Sequence, residues 1–141
     1  MKANEVIELF KNFDLESYFY ENNLGGIIGC KEYIKPKNDD PWATFKKAGG
    51  DAFIPEAPDL TRLYAIVRKR KIINVLELGS GKSTLVIASA LRKNFQEFGS
   101  SFRGIRRKKP FHLLSVESEK KYAQEVIEQC NLNNLNEHVT V

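Results

Sequence analysis

The chain has 141 residues, with 22 Lys and Arg against 18 Asp and Glu, which gives a formal charge of +4. A hydrophobic content of 42% and an aromatic content of 11% are typical of a globular domain and exclude disorder along the whole chain. The sequence contains no apolar run of the roughly 20 residues that span a membrane and no signal-peptide-like N-terminus. We therefore expect a cytoplasmic protein. Its two cysteines, Cys30 and Cys130, match neither a disulfide framework nor a metal-ligand spacing, so we expect reduced thiols.

The first 58 residues show no sustained hydrophobic period. Near-helical spacing over residues 4–13 and 15–20 predicts two short helices, and glycines and prolines divide the rest into turns. We interpret residues 1–58 as an irregular helical extension whose aromatic side chains pack on the remainder of the chain. Three of these aromatics are candidates for covering a ligand or the core: Trp42, Phe45 and Phe53.

From residue 59 onwards the hydrophobic pattern alternates between helical and strand periods. An apolar stripe predicts a helix capped by Asp59, and the run of β-branched and apolar residues at 72–78 predicts a buried parallel strand. Similar runs predict strands at 111–117 and 138–141. Strands that alternate with helices favour parallel pairing through right-handed crossovers, so the sequence predicts an α/β unit over residues 59–141.

Side chains that can cap a helix precede the two helices between these strands. Ser83 or Thr84 is expected to cap the first of them, and Ser118 the second. A basic loop separates the first helix from the second strand, and its charged residues are Arg103, Arg106, Arg107, Lys108 and Lys109. Such a cluster can bind nucleic-acid phosphates, but we favour a solvated insertion because no aromatic residues are interleaved with the charges. No metal site is expected.

The residues with the clearest chemistry lie in the turn after the first strand, Glu-Leu-Gly-Ser-Gly-Lys-Ser-Thr at 77–84. Gly79 and Gly81 carry no Cβ, so a ligand can approach the backbone there. Glu77 lies near the carboxyl end of the first strand, where ligands bind in open parallel sheets, and Glu117 ends the second strand. Two carboxylates at this edge suit a ligand with an amine and ribose hydroxyls better than a polyphosphate.

Two nucleotide-binding motifs are alternative interpretations of the same turn. Gly81-Lys82-Ser83 matches the end of a phosphate-binding P-loop, but the first glycine of that motif would fall on Leu76, and Glu77 would repel the phosphates. A dinucleotide-binding turn needs Gly or Ala at its third conserved position, which Thr84 occupies.

The segment 75–84 resembles motif I of the class I S-adenosylmethionine-dependent methyltransferases, in the variant Gly-Ser-Gly-x-Ser-Thr, and Ser-Val-Glu at 115–117 resembles the acidic end of that family's second strand. The resemblance covers residues 59–141. It implies a Rossmann-like parallel sheet with S-adenosylmethionine as the cofactor. The cofactor-binding residues that it implies are Glu77 facing the amino group through water, the backbone of Gly79, Ser80 and Gly81 near the methionine part, and Glu117 on the ribose hydroxyls.

The family's sheet has seven strands, whereas these 141 residues contain three predicted strands. We therefore expect a sheet truncated after the third strand, the amino-terminal half of such a domain. The segment that carries catalytic residues in the family has no counterpart here, so no catalytic residue and no methyl acceptor is assigned. Without a fourth strand, the strand at 72–78 would have an unpaired apolar edge that favours self-association. The alternatives to a methyltransferase are a P-loop-type nucleotide-binding protein and a non-catalytic interaction module.

Overall fold

The computed structural model describes residues 10–30, 32–33, 56–102, 104, 106 and 108–141. Its α-helices are α1 (Leu15–Glu21), α2 (Leu24–Ile28), α3 (Ala57–Lys69), α4 (Lys82–Phe98) and α5 (Lys120–Leu132). Its strands are β1 (Asn74–Leu78), β2 (His112–Val116) and β3 (Val139–Thr140). Two short 3-10 helices cover Gly99–Phe102 and Asn136–His138.

The three strands form one parallel sheet in the order β1-β2-β3. Helices α3, α4 and α5 alternate with these strands, as the hydrophobic pattern predicted, so the α/β class with a helical N-terminal part is confirmed. Helix α4 packs on the sheet and contacts both α3 and α5. The core between helices and sheet includes Tyr64, Leu91 and Leu113, all fully buried.

Among the described residues, helices cover one face of the sheet and not the other. Leu113 and Ser115 of β2 point into the core, whereas Leu114 and Val116 are exposed on the opposite face. Leu76 and Leu78 of β1 are exposed on that same face, beside their register partners in β2. The prediction that residues 72–78 form a buried strand is therefore wrong, because Leu76 and Leu78 are exposed and the other five residues are only partly buried. The strand begins at Asn74.

The helices begin at different residues from those predicted. Helix α3 is capped by Glu56 rather than Asp59, because Pro58 fits the first turn of a helix. Asp59 lies inside that turn and pairs with Arg62. Helix α5 is capped by Glu119 and not by Ser118. Thus each predicted cap is displaced by a few residues, while the helices themselves are confirmed.

Asn94 joins the end of α3 to the start of β1. Its side-chain amide donates to the carbonyl oxygens of Val67 (3.0 Å) and Ile72 (2.9 Å), and its Oδ1 accepts from Arg68. Arg68 also pairs with Glu97 farther along α4, at 2.7 Å. Because Asn94 is fully buried, its amide satisfies one backbone carbonyl in the last turn of α3 and one just before β1 from inside the core.

The N-terminal extension is partly described. Helix α1 covers the predicted helix at 15–20 and is capped by Asp14, which accepts from the Ser17 amide at 3.1 Å. The predicted helix at 4–13 lies mostly outside the described residues. Five other residues singled out from the sequence also lie outside the described residues: Trp42, Phe45, Phe53, Arg103 and Arg107.

Cys30 and Cys130 are both free thiols. In the part of the chain that the structure describes, no helix is long and apolar enough to span a membrane.

Candidate functional site

The turn between β1 and α4 consists of three residues, Gly79, Ser80 and Gly81. Gly79 has a φ of +87°, a left-handed conformation that favours glycine. Its amide donates to the carbonyl oxygen of Val116 at 2.8 Å, which extends the β1–β2 ladder beyond the last strand residue. The turn therefore lies directly over the carboxyl ends of both strands.

Glu77 lies on the helix-covered side of the sheet and accepts hydrogen bonds from three hydroxyl groups. Ser83 Oγ donates to Glu77 Oε1 at 2.5 Å, and Thr84 Oγ1 donates to Oε2 at 2.7 Å. Ser115 Oγ, on the neighbouring strand, donates to Oε2 at 3.0 Å and lies 3.2 Å from the carbonyl oxygen of Gly79. These bonds use three of the roughly four acceptor positions of the carboxylate. Glu77 thus fixes the end of β1 to β2 and to the first turn of α4.

Thr84 links the backbone of the turn to this carboxylate. Its hydroxyl accepts from the Gly81 amide at 2.9 Å while it donates to Glu77. It is the third residue of α4, the position from which a capping box reaches back to the cap residue, and Gly81 is the N-cap. The prediction that Ser83 or Thr84 caps this helix is therefore wrong, because both side chains are engaged by Glu77 from within the first turn.

Glu117 meets the turn from the other strand. Its Oε2 accepts from the backbone amide (2.8 Å) and the hydroxyl (2.9 Å) of Ser80, and its Oε1 accepts from the Glu119 amide at 3.0 Å. The hydrogen bond from the Glu119 amide, followed by those from Ser80, lowers the pKa of Glu117 to about 2. Glu117 is therefore ionised at neutral pH and holds the turn against the start of α5.

The space over the glycines is open. Apart from its direct chain neighbours, no described residue has a heavy atom within 4 Å of the position that a Cβ would take at Gly79 or at Gly81. The φ of Gly81 is 170°, an extended conformation that any residue can adopt, so the backbone of the free protein does not require glycine there. Glycine at this position leaves the backbone of the turn without a side chain on its open side.

All five predicted site residues lie together at this turn. Glu77 is beneath it, Glu117 is beside it, and Gly79, Ser80 and Gly81 form it. Sequence reasoning missed Ser115, which occupies a core-facing position of an otherwise apolar strand and pairs directly with Glu77 in the β1–β2 register. A polar residue at such a position is the signal that could have identified it.

Two shallow cavities lie elsewhere, on the N-terminal helices. One, of about 410 Å³, is lined by Phe19, Tyr20, Asn23, Gly25, Gly26 and Gly29. The other, of about 380 Å³, lies between the start of α1 and the start of α3. Neither contains a residue of the glycine turn. We take the turn as the candidate functional site because hydrogen-bonding groups from β1, β2 and α4 converge there.

Comparisons with known proteins leave the family open. The chain matches no protein-family model, and searches among curated proteins and among solved structures also find no match. A functional assignment accordingly depends on the residues of the glycine turn and on their chemistry.

Proposed function

We propose that this chain binds S-adenosylmethionine at the turn formed by Gly79, Ser80 and Gly81, as the cofactor-binding part of a methyltransferase. One observation carries the proposal: Glu117 binds this turn directly, Glu77 of the neighbouring parallel strand is linked to it through Thr84, and the space over the two glycines is free of other described residues. Ligands of open parallel sheets bind at this edge, beyond the carboxyl ends of the strands.

The residues present fit such a cofactor. The ionised carboxylate of Glu117 accepts three hydrogen bonds within the chain, which leaves about one of its roughly four acceptor positions for a ribose hydroxyl. The open backbone of Gly79 to Gly81 can face the methionine part. Glu77, occupied by three hydroxyls, would hold the turn in shape and contribute negative charge near the amino group. When bound, the cofactor supplies a methyl group on a positively charged sulfur. This chain's own contribution is to bind and orient it, which favours transfer by positioning.

The geometry argues against the P-loop alternative. A P-loop needs a glycine-rich loop that starts seven residues before its serine or threonine, but Leu76 lies in the middle of β1 and only three residues separate β1 from α4. The motif's lysine would be Lys82. Its Nζ lies 3.7 Å from the position that a Cβ would take at Gly29, so this side chain extends towards the end of α2.

Ligand binding by the 141-residue chain tests the proposal. We expect S-adenosylhomocysteine, the demethylated product form of the cofactor, to raise the melting temperature and to bind with a measurable heat in titration calorimetry. Mg²⁺-ATP is expected to do neither. Stabilisation by Mg²⁺-ATP alone, abolished by Lys82→Ala, would favour the P-loop alternative, and the absence of binding by either ligand would favour the non-catalytic module.

Two variants connect binding to the turn. Gly81→Ala adds a methyl group to the open space without backbone strain, so we expect a folded protein with about tenfold weaker binding of S-adenosylhomocysteine. Glu117→Gln removes the charge that would receive the ribose hydroxyls and is expected to weaken binding by a similar factor. Glu125→Gln, on the exposed side of α5, is the matched control. Unchanged affinity in both site variants would refute the assigned site.

A further inference from the structure

Two runs of basic residues lie at the amino end of the sheet. Arg70 and Lys71 follow α3 and precede β1, whereas Lys108 and Lys109 precede β2, and all four are exposed. The strand pairing brings the two runs side by side, because the first residues of β1 and β2 are register partners and each follows a lysine by three positions. The side chain of Asn74 also donates to the carbonyl oxygen of Lys109 at 3.1 Å. We call these four cations the basic end.

Positive charge is in excess at the basic end. None of its four cations forms a salt bridge with another residue that the structure describes. Two acidic residues lie nearby. Glu97 pairs with Arg68 at 2.7 Å, and the carbonyl oxygen of the exposed Glu137 lies 3.3 Å from His112 Nδ1, at the start of β2. Like charges held close together repel one another, so the basic end favours a partner that carries several negative charges.

Two aromatic rings of α4 lie beside these cations. Lys71 Nζ is 4.4 Å from the centroid of the Phe98 ring. One helical turn earlier, the Phe95 ring packs against Phe111, the second residue after Lys109, with 5.8 Å between the ring centroids, and Phe95 is 50% exposed. A half-exposed ring among cations can stack on a nucleic-acid base while the cations bind phosphates. The basic loop by itself lacks interleaved aromatic residues, and the fold supplies them from another element.

We propose that the basic end binds a single-stranded nucleic acid, with phosphates on its four cations and a base on the exposed ring of Phe95. A single strand fits better than a duplex, because only an unpaired base leaves its flat face free for a protein ring. Attraction to an acidic protein or to a lipid headgroup would not use that ring. The proposal is independent of cofactor binding, because the basic end lies at the amino ends of the strands and the glycine turn lies at their carboxyl ends.

Fluorescence anisotropy with labelled oligouridylate and oligothymidylate of about 12 nucleotides tests the phosphate contacts. We expect binding to at least one of them, and the tighter of the two identifies RNA or DNA as the ligand. Lys108→Gln/Lys109→Gln should weaken binding about tenfold at low salt and lower the slope of log affinity against log salt by about 1. Lys120→Gln/Lys121→Gln removes the same charge from exposed positions at the start of α5 and should change the affinity by less than about twofold. Binding of neither oligonucleotide, or an equal loss in both double variants, overturns the proposal.

Phe95→Leu tests the base contact, because it removes the aromatic ring and keeps an apolar side chain. We expect it to weaken oligonucleotide binding several-fold and to leave the binding of dextran sulfate, a polyanion without bases, unchanged. Circular dichroism verifies that the variant is folded, and an unchanged affinity for S-adenosylhomocysteine separates this site from the glycine turn. Undiminished oligonucleotide binding by a folded Phe95→Leu would overturn the assignment to nucleic acid. So would binding to phosphatidylserine vesicles under salt conditions in which neither oligonucleotide binds.

Discussion

Thr84 and Glu77 are seven positions apart and are joined by a hydrogen bond of 2.7 Å between Thr84 Oγ1 and Glu77 Oε2. The same hydroxyl accepts from the Gly81 amide, so a single side chain connects the carboxylate beneath the turn to the turn itself. The conformation of the glycine turn in the free protein is therefore held by side chains of β1 and α4, with Ser115 of β2 as the third hydroxyl group on the same carboxylate.

We expect Glu77→Gln to destabilise the protein by about 2 kcal/mol, because an amide replaces a charged acceptor and presents a donor to three hydroxyls that already donate. Urea unfolding measures this change as a lower midpoint with an unchanged slope. Glu125→Gln, at an exposed position, should change the free energy of unfolding by less than about 0.5 kcal/mol. Equal stabilities of the two variants would mean that the hydroxyl bonds to Glu77 contribute nothing net.

The lowered pKa of Glu117 predicts a pH dependence of stability. A carboxyl group whose pKa is about 2 when folded, against 4.5 ordinarily, binds its proton less tightly in the folded state than in the unfolded chain. Its stabilising contribution is therefore complete above the ordinary pKa and is lost as the pH falls through about 2.

Thermal melts of the wild type and of Glu117→Gln test this sign. The melting temperature of the wild type should exceed that of the variant by a constant amount near neutral pH, and the difference should shrink as the pH falls below about 4.5. The profile of Glu125→Gln should run parallel to that of the wild type over the same range. A difference between wild type and Glu117→Gln that persists unchanged down to about pH 2 would contradict the assignment of the hydrogen bonds to Glu117.

The two thiols should differ in reactivity. Burial, with a smaller effect from the charge of Glu77, raises the pKa of Cys130 to about 11, so almost no thiolate forms at neutral pH. Cys30 is only half-buried, and its Sγ donates to the Glu32 carbonyl oxygen at 3.0 Å. We expect iodoacetamide to modify Cys30 well before Cys130, as read by mass spectrometry of peptides. In denaturant both should react, and equal rates in the native protein would show that Cys130 is accessible.

Replacement of Asn94 should be costly. Asn94→Ala removes the donors to the Val67 and Ile72 carbonyl oxygens and the acceptor for Arg68 from a buried position, and we expect a loss of about 3 kcal/mol. Urea unfolding measures the change. Asn133→Ala is the control, because Asn133 makes an exposed side-chain bond to the Gln129 carbonyl oxygen, and its loss should cost less than about 1 kcal/mol. A similar cost for both variants would contradict the role given to Asn94.

The order of helices and strands from residue 59 onwards could be predicted from the sequence because its hydrophobic period changes with each element. Cap residues could not be placed as reliably, since Asp59, Thr84 and Ser118 all have side chains that can cap a helix. The structure uses the first two inside helical turns instead, Asp59 for a pair with Arg62 and Thr84 for Glu77. Several side chains near the start of each helix could act as its cap, and contacts with other parts of the fold determine where the helix begins.

The exposure of one sheet face could not be predicted either. Leu76 and Leu78 belong to the same apolar run as Val75, and an apolar run of this kind reads as a strand buried on both sides. Likewise, the convergence of Glu77 and Ser115 depends on the strand register, in which these residues are direct partners. The motif contains both acidic residues of the candidate site and the hydroxyl groups of Ser83 and Thr84, but the Ser115 hydroxyl reaches Glu77 through a strand pairing that no local pattern encodes.

The hydrogen bonds of Asn94 also affect the rate at which a nearby backbone amide exchanges with solvent. Its single amide group bonds the last turn of α3 and the residues before β1 at once, and the Ile72 amide donates to the Val67 carbonyl oxygen at 3.0 Å in the same place. Neither segment can fray without breaking the other's bonds. Solvent deuterium should therefore reach the Ile72 amide only through concerted opening of α3, α4 and β1, so we expect slow amide exchange at this junction.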